Sequence, residues 1–139
     1  MKHLSPDKIS KLDTEPVYLS SSFANGKILT INSKKKVVLN NKGGGYDQEW
    51  KFIPEKDGDF RVSSSKKGDN ICHHIKDGGE IKIQNSSNSE GCKWKLGKNG
   101  EIYQLNPEGG ERYLWLADDE LFVTNDGFLA ENWVPVSKD

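Results

Sequence analysis

The densest chemistry in the chain is the run Cys72-His73-His74, with a second thiol at Cys92. Thiols and imidazoles serve as nucleophiles, bases and metal ligands, so this run is the first place to look for a reaction. It lies between Ile71 and Ile75 in an apolar–polar setting that reads as a short strand. On a strand Cys72 and His74 share one face and His73 points to the other. Two ligands on one face, with Cys92 as a distant third, fall short of the four a structural zinc site takes. A Cys–His nucleophile pair would need a third group to orient it, and none suggests itself. The run therefore reads as buried cysteine and surface histidine, with no metal, no cofactor and no catalytic site. Two cysteines are too few for a disulfide framework; two free, partly buried thiols are expected, a Cys72–Cys92 pair being the alternative.

Charge narrows the function classes further. The 139 residues carry 20 basic and 21 acidic side chains, so no polyanionic partner such as nucleic acid or an anionic membrane is indicated. The opening MKHLSPDKISKLDTEP lacks the apolar run of a secretory signal, and no stretch is apolar enough for membrane insertion. A cytoplasmic location, or export by a non-classical route, is the expectation. Lys34–Lys36 and Lys66–Lys67 read as solvated turns that also protect strand edges.

The elements that would position any site come from an internal repeat. VYLSSS, FRVSSS and YQLNPE begin at Val17, Phe60 and Tyr103, each alternating apolar and polar as a half-buried strand does. Ile28, Ile71 and Tyr113 follow in matching places, then Leu39, Ile83 and Val123, each two residues before Asn41, Asn85 and Asn125. Trp50, Trp94 and Trp133 close the three copies. Between the apolar runs stand hairpin signals such as ANGK, KNGE and TNDG. Twelve short strands in three sets leave raw edges unless the sheet closes on itself. The expected fold is all-β and threefold, with residues 1–14 a tail and 15–139 one domain of repeats near 17–59, 60–102 and 103–139. The three tryptophans are core anchors on this reading, as are Val17, Leu19, Ile28, Leu39, Phe52, Phe60, Val62, Ile71, Ile83, Leu96, Tyr103, Leu105, Leu121 and Val123.

Three units, each ending near a tryptophan, with Gln48-Glu49-Trp50 intact in the first and NGKILTI as lead-in, resemble the ricin-type β-trefoil family. The resemblance implies a β-trefoil and shallow sugar pockets, up to one per unit. Each such pocket uses a carboxylate, a stacking ring, and a polar pair at the Gln-x-Trp motif. Carried across, the carboxylate position falls on Thr30, His73 and Trp115, and the stacking position on Asn40, Gln84 and Thr124. The polar pair becomes Asp47 with Gln48, Gly91 with Cys92, and Ala130 with Glu131. None of the three units keeps the family set, so the implied site is degenerate.

Two places remain as sugar-binding candidates. Asp47 offers a carboxylate in the first unit, with Asn40, Asn41 and Gln48 around it; the other reading of Gln48 is a side chain that closes a turn. Trp115, with Asp118 and neighbouring acids, offers a ring and a carboxylate in the third unit; the other reading of Trp115 is sheet-face packing. The functional expectation is a non-enzymatic, lectin-like module whose partner is a carbohydrate or glycoconjugate. The alternative is a β-trefoil that binds protein, of the protease-inhibitor, cytoskeletal or toxin-component kind.

Overall fold

A computed structural model describes residues 15–22, 24–43, 47–74, 78–85 and 90–138. The expected tail at 1–14 and most of the polar loop after Asn85 lie outside the described residues. Twelve strands follow in order: β1 (Tyr18–Ser21), β2 (Ile28–Ile31), β3 (Val37–Asn40), β4 (Trp50–Pro54), β5 (Phe60–Ser64) and β6 (Asn70–Cys72). Then come β7 (Lys82–Gln84), β8 (Lys95–Leu96), β9 (Ile102–Leu105), β10 (Glu111–Ala117), β11 (Glu120–Thr124) and β12 (Trp133–Val136).

Six of these strands close a ring. β1 pairs with β12, β4 with β5, and β8 with β9, all antiparallel. The links between those pairs are single bridges, Val17 to Trp50 and Phe60 to Trp94. The third link is a hydrogen bond from Trp133 N to Gly100 O at 3.0 Å. The remaining strands form three hairpins, β2–β3, β6–β7 and β10–β11. Two of the hairpin tips lock onto a neighbouring hairpin: Leu39 N donates to Asp119 O at 2.8 Å, and Val123 N donates to Gly79 O at 3.0 Å. Closure of the ring satisfies strand edges that an open sheet would expose. A six-stranded barrel with three capping hairpins is a β-trefoil.

The core runs along the threefold axis. Trp50, Trp94 and Trp133 are wholly buried, as are Leu19, Val62 and Ile102. Hairpin registers pair Leu29 with Leu39, Ile71 with Ile83, and Leu114 with Val123. Two anchor sets from the sequence therefore shift. Leu29 and Leu114, rather than Ile28 and Tyr113, are the counterparts of Ile71. In the third unit Gly100, rather than Tyr103, answers to Val17 and Phe60. The shift explains Leu105, an expected core residue that is 58% exposed. Tyr103, Ile83 and Leu96 are half-buried. Burial of each large apolar side chain contributes roughly 1.5–3 kcal/mol.

Candidate functional site

The corrected register places three pairs of side chains in equivalent positions, one pair per unit. In the first unit they are Thr30 and Gln48. The Gln48 amide is buried and donates to Thr30 Oγ1 at 3.2 Å and to Asn41 O at 2.8 Å. Its Oε1 accepts from Gly43 N at 2.9 Å. Thr30 is wholly buried and donates to Ile28 O at 3.0 Å. Gln48 thus ties the turn after β3 to β2. Asn40 Oδ1 accepts from Asn41 N at 2.8 Å, so Asn40, Asn41 and Gln48 meet in one turn. Asp47 next to them is half-buried, its carbonyl accepting from Ile31 N at 2.9 Å.

In the second unit the equivalent pair is Cys72 and Cys92, and the two form a disulfide. This corrects the expectation of two free thiols. A bridge here removes both sulfurs as nucleophiles or metal ligands. The neighbouring His73 is only 3% exposed, where the sequence suggested a surface histidine. Its Nε2 meets Gly78 O at 2.5 Å and its Nδ1 meets Gln104 Oε1 at 3.4 Å. His74 Nε2 contacts Gln84 Oε1 at 3.0 Å. Among the described residues no group of three His, Cys, Asp or Glu side chains is arranged to hold a metal ion.

In the third unit the pair is Trp115 and Glu131. Glu131 Oε1 accepts from Ser21 Oγ at 2.8 Å, so its carboxylate ties β12 to β1. Trp115 lies opposite Phe122 on the face of the β10–β11 hairpin turned away from the wholly buried Leu114; it is half-buried, and its indole Nε1 is buried without an acceptor among the described residues. Alternation puts Tyr113 and Ala117 on that same face and Leu114 and Leu116 on the inner one. Tyr103 joins the outer face from β9, its ring centroid 5.6 Å from that of Tyr113. Glu120, opposite Ala117, sets a carboxylate beside Phe122 on this face. Asp118 lies at the hairpin tip with a φ of 50°, and Asp119 follows at 61°; two left-handed residues are what a two-residue hairpin turn of the primed kind takes.

A short turn extends the aromatic face. Asp126 Oδ1 accepts from Phe128 N at 3.0 Å, and Leu129 N donates to Asp126 O at 3.0 Å. The turn lies against Tyr113, whose ring edge would be 3.6 Å from a Cβ at Gly127. Phe128 is fully exposed on this turn and Leu129 is exposed beside it. Burial first, then the Glu111 and Glu101 carboxylates, raises the pKa of Tyr113 above its ordinary value, so the phenol keeps its proton. Nothing in the sequence pattern marked Phe128, because a residue displayed by an irregular turn carries no periodicity.

Two cavities flank His73. One of about 490 Å³ is lined by Asp59, His74, Lys95, Gln104, Leu105 and Pro107, among others. Its polar groups are matched internally. Lys95 Nζ meets Asp59 Oδ1 at 2.6 Å, and this hydrogen bond raises the lysine pKa. The amide nitrogen of Gln104 donates to Gly91 O at 2.5 Å. The other cavity, of about 320 Å³, lies between the Gly78–Gly79 tip and the β10–β11 hairpin, with Arg112 in its wall.

With this geometry in view, solved structures that resemble the chain can be set beside it. An endo-β-galactosidase from Clostridium perfringens that releases GlcNAcα1-4Gal superposes with a TM-score of 0.72 at 13% identity. The match covers 91% of this chain and 33% of that one, so this chain spans a third of the enzyme. SeviL, solved bound to asialo-GM1 saccharide, gives 0.65 at 17% identity, over 89% of this chain and 98% of SeviL. ThreeFoil, a designed threefold symmetric protein, gives 0.66 at 17% identity over 88% of this chain and 98% of its own. The likeness is one of fold. No family model matches the chain, and no curated protein does.

Proposed function

We propose that this chain is a non-enzymatic carbohydrate-binding module and that the outer face of its third unit takes the sugar. One observation carries the reading. Tyr103, Tyr113, Trp115 and Phe122 share that face, and Phe128 is displayed in full beside it. The corresponding face of the first hairpin carries Ile28, Thr30, Val38 and Asn40, and that of the second carries Asn70, Cys72, Lys82 and Gln84. A sugar presents an apolar C–H face and a rim of hydroxyls. Aromatic rings suit the first. The Glu120 and Asp118 carboxylates and the Tyr113 hydroxyl suit the second. Single sites of this shallow kind are weak and gain from multivalency.

Asn40, Asn41 and Asp47 offer a smaller polar rim in the first unit, where Gln48 acts as the clamp that shapes it. Support for binding rather than catalysis comes from the bridged sulfurs and from His73, both of whose ring nitrogens face oxygens of the chain itself. The disulfide suits an oxidising compartment and hence a chain that is exported. A glycan array with the whole chain tests the proposal. Phe128→Ala and Trp115→Ala should each lose the glycans that the parent binds. A parent that binds no glycan but docks stoichiometrically to a purified protein partner would replace this reading with the protein-binding one.

A further inference from the structure

We infer that the cavity beside Arg112 is an oxyanion site that takes the carboxylate or sulfate of an acidic saccharide. The inference rests on the carbohydrate reading for its ligand class but on different residues. The chain has two arginines, and they stand in opposite circumstances. Arg61 is paired: Nε donates to Glu55 Oε1 at 2.7 Å and Nη1 to Asn70 Oδ1 at 3.1 Å. Among the described residues the Arg112 guanidinium forms no ion pair and one hydrogen bond, a long one from Nη1 to Glu111 O at 3.4 Å. A half-buried guanidinium has five N–H donors in a planar fork and is suited to two-point recognition of an oxyanion.

The surroundings fit that role. The cavity of about 320 Å³ is lined by His73, Gly78, Gly79, Arg112, Thr124 and Asn125, along with Val123, and no carboxylate is among its described lining residues. The volume lies at the lower end of ligand pockets, the size of a single sugar ring rather than a chain. His73 is fixed as a wall, since both its ring nitrogens already meet oxygens of the chain. Thr124 Oγ1 accepts from Asp126 N at 3.1 Å, which leaves its hydroxyl proton for a ligand oxygen. The Asn125 side chain adds an amide donor. Thr124 also lies opposite Tyr113, so the cavity adjoins the edge of the aromatic face. None of these residues belongs to the pairs Thr30–Gln48, Cys72–Cys92 or Trp115–Glu131.

Heteronuclear NMR titration of the whole chain tests this with three probes: methyl glucuronide, its neutral counterpart methyl glucoside, and inorganic sulfate. The expected result is shifts centred on Arg112, Thr124 and Asn125 with the glucuronide, and an affinity at least 10-fold above that for the glucoside. Arg112→Gln should remove that preference while leaving binding of neutral glycans at the Trp115 face unchanged. Thr124→Val provides a second, milder lesion in case the arginine variant misfolds. Equal affinity for the two glycosides in the parent would overturn the oxyanion site, whatever the aromatic face does. Sulfate binding at Arg112 without glucuronide binding would overturn the saccharide as its source. Shifts confined to Trp115 and Phe128 would overturn the site and leave the aromatic-face reading standing.

Discussion

Cys72 and Cys92 are bonded to one another in the same two positions where, one unit earlier, Gln48 donates to Thr30. In two of the three units side chains tie the second strand to the segment before the tryptophan. One unit does this with a buried amide and another with a covalent bridge. Both solutions occupy places where the family resemblance implies sugar-contacting groups.

The bridge spans a sequence separation of 20. Loop closure on that scale stabilises by about 3 kcal/mol. Reduction, or the Cys72→Ser/Cys92→Ser double variant, should therefore lower the melting temperature by several degrees. Thermal melts with and without reductant check this, and coincident melts would show that the bridge carries no weight.

Gln48→Ala should destabilise the chain rather than disturb a binding site. The change leaves Gly43 N and Asn41 O without their partner, at a cost of about 1–3 kcal/mol. Chemical denaturation reads the loss, and a glycan profile equal to that of the parent would complete the expectation. A profile lost with stability intact would return the sugar to the first unit.

The three core tryptophans are equivalent in position but not in hydrogen bonding. Trp50 Nε1 donates to Leu29 O at 2.9 Å and Trp94 Nε1 to Ile71 O at 2.8 Å. Trp133 Nε1 is buried and finds no acceptor among the described residues, while the corresponding Leu114 O accepts from Glu131 N at 3.2 Å. Tryptophan-to-phenylalanine variants should rank accordingly. Trp50→Phe and Trp94→Phe should each cost about 1 kcal/mol more than Trp133→Phe. Equal losses in urea would remove the distinction.

The pattern of apolar residues was enough to read a threefold all-β chain, because alternation and three tryptophans in matching places survive any small error of register. It was not enough to fix that register. Ile28 and Leu29 are adjacent and both buried, as are Ile71 and Cys72, so alternation could not choose between neighbours. One residue of slip turns a side chain to the other face, which is why Thr30 pairs in position with Cys72 rather than His73. The same slip hid the bridge, since its two cysteines became equivalents of Thr30 and Gln48 only once the strands were aligned. Arg112 and Phe128 were silent for another reason. What sets them apart lies in their surroundings: a guanidinium with no ion pair among the described residues at the edge of a cavity, and a ring held out by a capped turn.

Lys95 gives the alkaline limb of stability a specific cause. The hydrogen bond that Lys95 donates to the Asp59 carboxylate raises its pKa above the ordinary 10.5. A cation favoured in the folded state contributes its full stabilisation below the unfolded pKa and loses it as pH rises through the folded one. Tyr113, held protonated by burial, has the same sign, because the unfolded phenol ionises first. Asp59→Asn should lower stability near neutral pH, and the gap from the parent should close above Lys95's folded pKa. Urea denaturation across that range checks it, and a gap independent of pH would speak against the pair.

The central claim is that sugar binds the outer aromatic face of the third unit, and Phe128 is its most direct probe. The ring is fully exposed, so Phe128→Ala leaves the fold alone. Loss of one stacking ring is worth about 1.4 kcal/mol, a factor of about 10 in affinity. Titration of the best array glycan into the parent and into Phe128→Ala should show that tenfold weakening at unchanged melting temperature. Equal affinities in the two proteins, or no glycan bound by the parent at all, would contradict the account.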